Sequence, residues 1–201
     1  MKIAVLALQG AFAEHEQMLQ RLGAETMLIR SPLQISPKEG FRSLPLGGDG
    51  GGLHGLVIPG GESTAMMRIM KDEGLFKPIR EAILGGLPVL GTCAGLIMLD
   101  RNHLGVMDIL AKRNAYGRQL GSFNTEEEFL GIGKVPMTFI RAPYIEEAGP
   151  EVEILATVEG KAVAARQKNM LVTAFHPELT DDTRIHEMFL SMVTANRHEA
   201  T

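Results

Sequence analysis

Cys93 is the only cysteine among the 201 residues of the chain. One thiol makes no internal disulfide and is too few for a zinc site, and a lone cysteine is most often a small buried hydrophobe. Its setting argues for more. Cys93 follows the apolar run Leu87–Gly91, and Gly91 and Gly95 flank it in the pattern Gly-x-Cys-x-Gly. That is the cysteine form of a nucleophile elbow. A sharp strand-to-helix turn raises the side chain above the carboxyl edge of a sheet, and small neighbours let the backbone bend. The N-terminus of the following helix favours a thiolate, and its free N–H groups can hold an oxyanion. These residue types point to a nucleophilic thiol.

A thiolate nucleophile needs a base. Of the six histidines, His15, His54, His103, His186 and His198 fall in helical or loop contexts, where a solvated surface position is expected. His176 differs. It ends the run Met170–Phe175, and Pro177 restricts it to extended backbone. Glu178, two residues on, falls on the same side of an extended chain, where a carboxylate can orient an imidazole. Alone, His-Pro-Glu reads equally well as a mere turn; beside a cysteine elbow it reads as the rest of a Cys-His-Glu triad.

Such a triad needs a sheet edge on which distant strand ends meet. Residues 2–8 (KIAVLAL), apolar without alternation from Ile3 to Leu8, read as a strand buried on both faces. A helix over Ala11–Leu22 follows, with Gly23 as its stop, then strands at Glu25–Ile29 and Gly55–Pro59. Helical stretches fall at Thr64–Met70 and Leu75–Leu84, and a strand at Leu87–Gly91 runs into a helix from Ala94. This alternation predicts an α/β fold with a mostly parallel central sheet and helices on both faces. After about Gly117 the runs Val135–Ile145, Glu151–Gly160, Lys161–Gln167 and Met170–Phe175 predict additional antiparallel strands, with a tight turn at Val158–Ala162. A last helix carries the stripe Ile185, Met188, Phe189, Met192 and Val193, with Thr180, Asp181 and Asp182 as capping oxygens before it.

The length suits one domain, 1–201, with a sizeable core. A net charge of -4 gives no reason to expect nucleic acid or an anionic membrane as partner. One cysteine and scattered histidines argue against a disulfide scaffold or a metal, and suit a reducing cytoplasm. The start, MKIAVLALQGAFA, superficially copies a signal peptide, but its apolar run is short and broken by Gln9-Gly10. The glycine-rich stretch Leu44–Gly55 lacks the Gly-Lys-Ser/Thr of a phosphate loop and reads as a flexible surface loop.

The segments Gly91–Gly95 (GTCAG) and His176–Glu178 (HPE) closely resemble the class I glutamine amidotransferases, whose triad is Cys-His-Glu. VLALQGAFAEH, VIPGGEST, RNAYGRQ, FIRAP and FHPELTDDTRIH resemble, more narrowly, the glutaminase subunits of pyridoxal 5'-phosphate synthases. The resemblance runs over nearly the whole chain. It implies the flavodoxin-like three-layer fold, no cofactor, and hydrolysis of L-glutamine to glutamate and ammonia by Cys93, His176 and Glu178. It implies the Ala94 N–H as one oxyanion donor and the Gly60-Gly61 turn as the source of a second. It places L-glutamine against Gly61, Glu62, Ser63, Arg113, Ile140 and Arg141. A free amino acid does invite an arginine at its carboxylate and an acceptor at its ammonium. Residue by residue, Glu62-Ser63-Thr64 also reads as a helix cap, and either arginine as a surface charge. The implied partner is a synthase subunit, assembled as a ring-shaped core decorated by glutaminase subunits, which takes the ammonia and holds the phosphorylated substrates.

The chain departs from the family in the Gly47–Gly52 tract and in a short segment between the Cys93 helix and His103. Three other readings compete. A same-fold cysteine hydrolase or chaperone is opposed by the late His-Pro-Glu and by Pro59–Thr64. The glutaminase of another amidotransferase, such as imidazole glycerol phosphate synthase, is opposed by Arg113–Gln119 and Phe175–Thr180. An inactive regulatory partner is opposed by the intact Cys93, His176 and Glu178.

Overall fold

Five short runs carry the centre of the molecule: Lys2–Leu6 (β1), Glu25–Ile29 (β2), Gly55–Ile58 (β3), Val89–Thr92 (β4) and, far along the chain, Met170–Thr173 (β11). The computed structural model describes residues 1–31, 52–113 and 122–199. β3, β4 and β11 are buried at every residue, β1 at all but Lys2, while β2 is partly exposed. Continuous apolarity marks strands covered on both faces, and the more exposed β2 is the edge. They pair in parallel in the order β2-β1-β3-β4-β11, the doubly wound order in which the chain reverses direction between β1 and β3.

Helices cover both faces. The helices are α1 (Phe12–Arg21), α2 (Ser63–Asp72), α3 (Phe76–Leu84), α4 (Ala94–Leu99) and α5 (Arg184–Glu199). Gly55 on β3 faces Phe189 and Val193 of α5, whereas Gly91 on β4 faces Gly95 and Leu99 of α4. Ile58, three residues after Gly55, is the register partner of Gly91, so the two glycines look to opposite sides of the sheet. The Gly47–Gly51 part of the glycine tract lies outside the described residues, as does the chain from Asn114 to Gly121.

The C-terminal half departs from the sequence reading in three ways. Val135–Ile145 is not one strand: β7 (Gly133–Ile140) and β8 (Tyr144–Ala148) are separated by Arg141, whose φ is +44°. Two strands were not expected: β5 (Ile109–Lys112), too short to show a pattern, and the glutamate-rich β6 (Ser122–Phe129), whose Ser122, Asn124, Glu126 and Glu128 are exposed. And β11 joins the parallel sheet: it is antiparallel to β10 (Lys161–Gln167) but parallel to β4. β9 (Glu153–Val158) and β10 meet in the expected tight turn, with positive φ at both Glu159 and Gly160.

β6 and β7 form a separate hairpin. Phe123 stacks on Phe139 at 4.6 Å between ring centres, and Phe139 and Phe129 meet Phe175 edge-on at 5.7 and 6.4 Å. These contacts hold the hairpin against the residue before His176, whose own N–H donates to the Thr138 carbonyl at 2.9 Å. Ahead of α5, Asp182 Oδ1 accepts from the Arg184 N–H at 3.0 Å, so one of the three expected capping residues caps it directly.

Candidate functional site

Because β1, β3, β4 and β11 run parallel, their carboxyl ends share one edge, where ligands bind in open α/β sheets. At that edge β4 delivers Cys93 and β11 delivers His176, 83 positions apart in the chain but on neighbouring strands. Cys93 sits between β4 and α4 with φ +52° and ψ −105°, a conformation costly for a side chain with a Cβ. The flanking glycines permit it in a way the sequence reading did not describe. Neither Gly91 nor Gly95 has positive φ; they allow close approach instead. A Cβ on Gly95 would lie 2.0 Å from the Ile58 carbonyl oxygen, and one on Gly91 would lie 2.7 Å from that of Gly95. The backbone therefore bends at the cysteine itself, and α4 packs onto the sheet through its neighbours.

His176 leaves β11 with φ −105° and ψ 88° and Pro177 begins a single 3₁₀ turn, Pro177–Leu179. Glu178 thus reaches His176 from a turn, not along the extended chain expected from the spacing. Its Oε1 lies 2.6 Å from His176 Nδ1, and both side chains are buried. Burial disfavours the His176 imidazolium, but hydrogen bonds to Cys93 and Glu178 and the charges on both outweigh it, raising the pKa to about 10. Glu178 moves the other way. Its burial disfavours the carboxylate, yet His15 and the hydrogen-bonded His176 hold its pKa below the ordinary value. Cys93 thus faces an imidazolium backed by a charged carboxylate.

A cavity of about 620 Å³ opens above these groups. Its wall includes Cys93 and His176 together with Gly60, Gly61, Glu62, Ser63, Ala94, Arg113, Ile140 and Arg141. Of the residues singled out in the sequence only Glu178 is off the wall, buried behind His176. Gly60 lies so close to the pair that a Cβ there would come within 2.4 Å of His176 Cε1 and 3.3 Å of Cys93 Cβ. Its carbonyl is directed at Gly10, so the Gly61 N–H of the same planar peptide points the opposite way. The Ala94 N–H stands in the first turn of α4, where no acceptor exists within the helix.

The polar end of the cavity is built by α2. Glu62 is its N-cap, accepting from the Thr64 and Ala65 N–H groups at 3.0 and 2.7 Å. The helix-cap reading is thus realised, on the wall of the cavity. Those backbone hydrogen bonds hold the Glu62 carboxyl pKa below its usual value. Arg113 Nη1 donates to Thr64 Oγ1 at 3.0 Å, and the rest of the Arg113–Gln119 segment lies outside the described residues. The β7–β8 break brings Ile140 beside Cys93, its carbonyl oxygen 4.0 Å from Cys93 Sγ.

Sequence reasoning missed Gln9 and Gly10 as wall residues. Gln9 Oε1 accepts from the Glu62 N–H at 2.9 Å, and Gly10 (φ +85°) is where the Gly60 carbonyl approaches. The available signal was a polar residue and a glycine directly after an apolar strand. It also misplaced two histidines. His15 and His186, expected at the surface, are completely buried behind Glu178. Among the described residues no group of His, Cys, Asp or Glu is arranged to hold a metal ion.

Comparison with known proteins extends the geometry. The chain is 53% identical over 204 residues, 98% of this chain and 100% of the other, to the pyridoxal 5'-phosphate synthase subunit PdxT of Streptococcus pneumoniae strain CGSP14. It is 54% identical to the same subunit of strain ATCC 700669, covering 96% of this chain and 97% of that one. A solved glutamine amidotransferase superposes with a TM-score of 0.83 at 37% identity, over 96% of this chain and 98% of that one. A second, from Thermotoga maritima, shares the fold at 15% identity, with a TM-score of 0.62 over 98% and 85%. The model of the SNO glutamine amidotransferase family matches residues 5–195. With a cysteine elbow on β4 beside the His-Pro-Glu that follows β11, and with the family's model matched from residue 5 to residue 195, this protein belongs to the SNO glutamine amidotransferase family.

Proposed function

We propose that this chain is the glutaminase subunit of a pyridoxal 5'-phosphate synthase. The observation that carries the chemistry is the meeting of Cys93 with the His176–Glu178 pair on one cavity wall. Near-full-length identity of 53% to a synthase subunit supports the choice of partner.

Cys93 thiolate attacks the side-chain amide carbon of L-glutamine, forming a C–S bond and pushing the carbonyl π electrons onto oxygen. The Ala94 N–H and an N–H of the Gly60-Gly61 turn receive the oxyanion. His176 imidazolium gives its Nε2 proton to the amide nitrogen as the C–N bond breaks, releasing ammonia and leaving a glutamyl thioester. Neutral His176 then takes a proton from water, the resulting hydroxide adds to the thioester, and glutamate leaves as the thiolate is restored. Glu178 holds Nδ1 throughout, fixing the tautomer and stabilising imidazolium. Gly61, Glu62, Ser63, Arg113, Ile140 and Arg141 bind the amino-acid end of the substrate.

The whole chain, residues 1–201, acts as one glutaminase domain in the cytoplasm. Free ammonia would be protonated in water, so it passes directly to a synthase subunit, which makes pyridoxal 5'-phosphate from a pentose phosphate and a triose phosphate. That partner forms a ring-shaped core with glutaminase subunits around it. No helix among the described residues is long and apolar enough to cross a membrane.

The test is glutamate release from L-glutamine by the full chain, with and without a synthase subunit, together with labelling by a glutamine-analogue electrophile. The label is expected on Cys93 alone and activity is expected to vanish in Cys93→Ala. Turnover retained in Cys93→Ala would overturn the assignment.

A further inference from the structure

The hydrogen-bonded series does not stop at Glu178. Its Oε1 is engaged by His176, while Oε2 is buried with no hydrogen-bond partner within ordinary distance. The nearest donor is His15 Nε2 of α1, at 3.4 Å. The same nitrogen lies 3.0 Å from the hydroxyl oxygen of Thr92, the residue before the nucleophile. On its other side, His15 Nδ1 lies 2.8 Å from Nε2 of His186, on α5. His15, Thr92 and His186 are all at 0% exposure, so none of them touches bulk solvent.

Proton placement has two solutions, and one is better. If His15 carried its proton on Nδ1, its Nε2 lone pair would face the Glu178 carboxylate, and His186 would have to keep its proton on Nδ1. That nitrogen is buried without a partner, and an unpaired buried N–H is costly. If His186 instead donates from Nε2 to His15 Nδ1, His15 is left with an Nε2–H that meets Thr92 Oγ1 at 3.0 Å and has Glu178 Oε2 3.4 Å away. A lone pair on His186 Nδ1 and the Thr92 O–H then go without a partner, but an N–H and not a lone pair faces the Glu178 carboxylate, which decides between the two. Both imidazoles are neutral near pH 7. Burial lowers the His15 pKa, and burial together with His15 lowers that of His186 to about 3. His15 therefore reaches Glu178 as an N–H dipole, not as a full charge.

We propose that His15 and His186 are positioning residues of the triad, a neutral imidazole relay that fixes the free oxygen of Glu178 and thereby the His176 ring that faces Cys93. This rests on the glutaminase reading only for its link to turnover; the effect on Cys93 does not need it. The groups bearing on the relay are Glu14 and His15 from α1, His176 and Glu178 from the end of β11 and its 3₁₀ turn, and His186 from α5. β4 supplies the Thr92 hydroxyl. Without the His15 N–H, protonation of Glu178 becomes easier, the imidazolium loses support, and the thiolate forms only at higher pH.

Because Cys93 is the only cysteine, its alkylation by iodoacetamide can be followed against pH in the full-length protein without a substrate. His15→Leu is expected to move the midpoint of that profile upward by about one pH unit or more. It should also lower glutaminase kcat roughly 10- to 100-fold, as when a residue that orients a working group from behind is lost, with KM nearly unchanged. His15→Gln, whose amide N–H replaces Nε2–H, is expected to restore the midpoint, and His15→Asn, whose amide falls at the Nδ1 level, is not. His186→Leu should shift it in the same direction and His186→Gln should not. A purely structural role would lower melting temperature without moving the midpoint. Equal midpoints for wild type and His15→Leu, or for the Gln and Asn variants should the Leu variant not fold, would overturn the relay. Absence of glutamine turnover in the wild type would overturn the glutaminase reading alone, since alkylation still decides the relay.

Discussion

At the scale of single residues, the three members of the proposed triad differ in what their removal is expected to take away. His176→Asn removes the proton carrier, whereas Glu178→Gln leaves the carrier and removes only the charge that orients it. The first is expected to cost about 10⁴-fold or more in kcat and the second no more than the first. Steady-state rates of glutamate release on the two variants check the order, and a Glu178→Gln enzyme indistinguishable from wild type would remove Glu178 from the triad. The direction of the pKa shifts sets the pH dependence. His176 is raised from 6.5 to about 10, so what its protonated form contributes is complete below 6.5 and is lost as pH rises through about 10. Glu178 is lowered from 4.5, so its contribution is present above that value and is lost as pH falls below it. The kcat/KM profile should therefore hold a plateau through neutral pH with its alkaline limb near 10. A limb near 6.5 would show that the ion pair does not form.

At the scale of elements, two glycines separate stability from chemistry. The Cβ of Gly95→Ala would sit 2.0 Å from the Ile58 carbonyl, which is backbone of a central strand and cannot move aside. Overpacking of this kind costs about 3 kcal/mol, which for a domain of this size lowers the melting temperature by roughly 6–12 °C. The Cβ of Gly60→Ala would sit 2.4 Å from His176 Cε1, the end of a side chain that can rotate away. Gly60→Ala is expected to keep most of the stability but lose glutaminase activity by displacing His176. Calorimetry and activity on the two variants check the contrast; a Gly95→Ala protein as stable as wild type would show that α4 is free to shift.

At the scale of the whole molecule, a glutaminase acting without its synthase would waste glutamine, so an incomplete oxyanion hole in the isolated chain is expected. The Gly60-Gly61 peptide is the element suited to this, with its carbonyl turned toward Gly10 and its N–H the opposite way. Loss of one oxyanion donor costs about 10²–10³ in rate. Docking of the synthase is therefore expected to raise kcat by up to that factor with a smaller change in KM. Kinetics on the isolated chain and the reconstituted complex measure it, and equal kcat in the two states would refute the switch while leaving the triad standing.

The chain by itself determined what depends on local chemistry. An unbroken apolar run such as Ile3–Leu6, bounded by Gln9-Gly10, suits a strand covered on both faces, and proline after His176 keeps that residue out of helical backbone wherever the fold puts it. The glycines around Cys93 likewise mark a tight strand-to-helix junction before any contact is known. Tertiary structure decided what depends on distant segments meeting. β6 was illegible because its glutamates carry no apolar alternation; it is held by pairing with β7, by Phe123 on Phe139, and through that hairpin on Phe175. His15 and His186 are 171 positions apart, and each sits on a helix whose polar residues otherwise suggest solvent. Only the packing of α1 and α5 beneath the edge of β4 and β11 buries them together against Glu178, because burial of a polar side chain is decided by the partner it finds there and not by its own position on a helix.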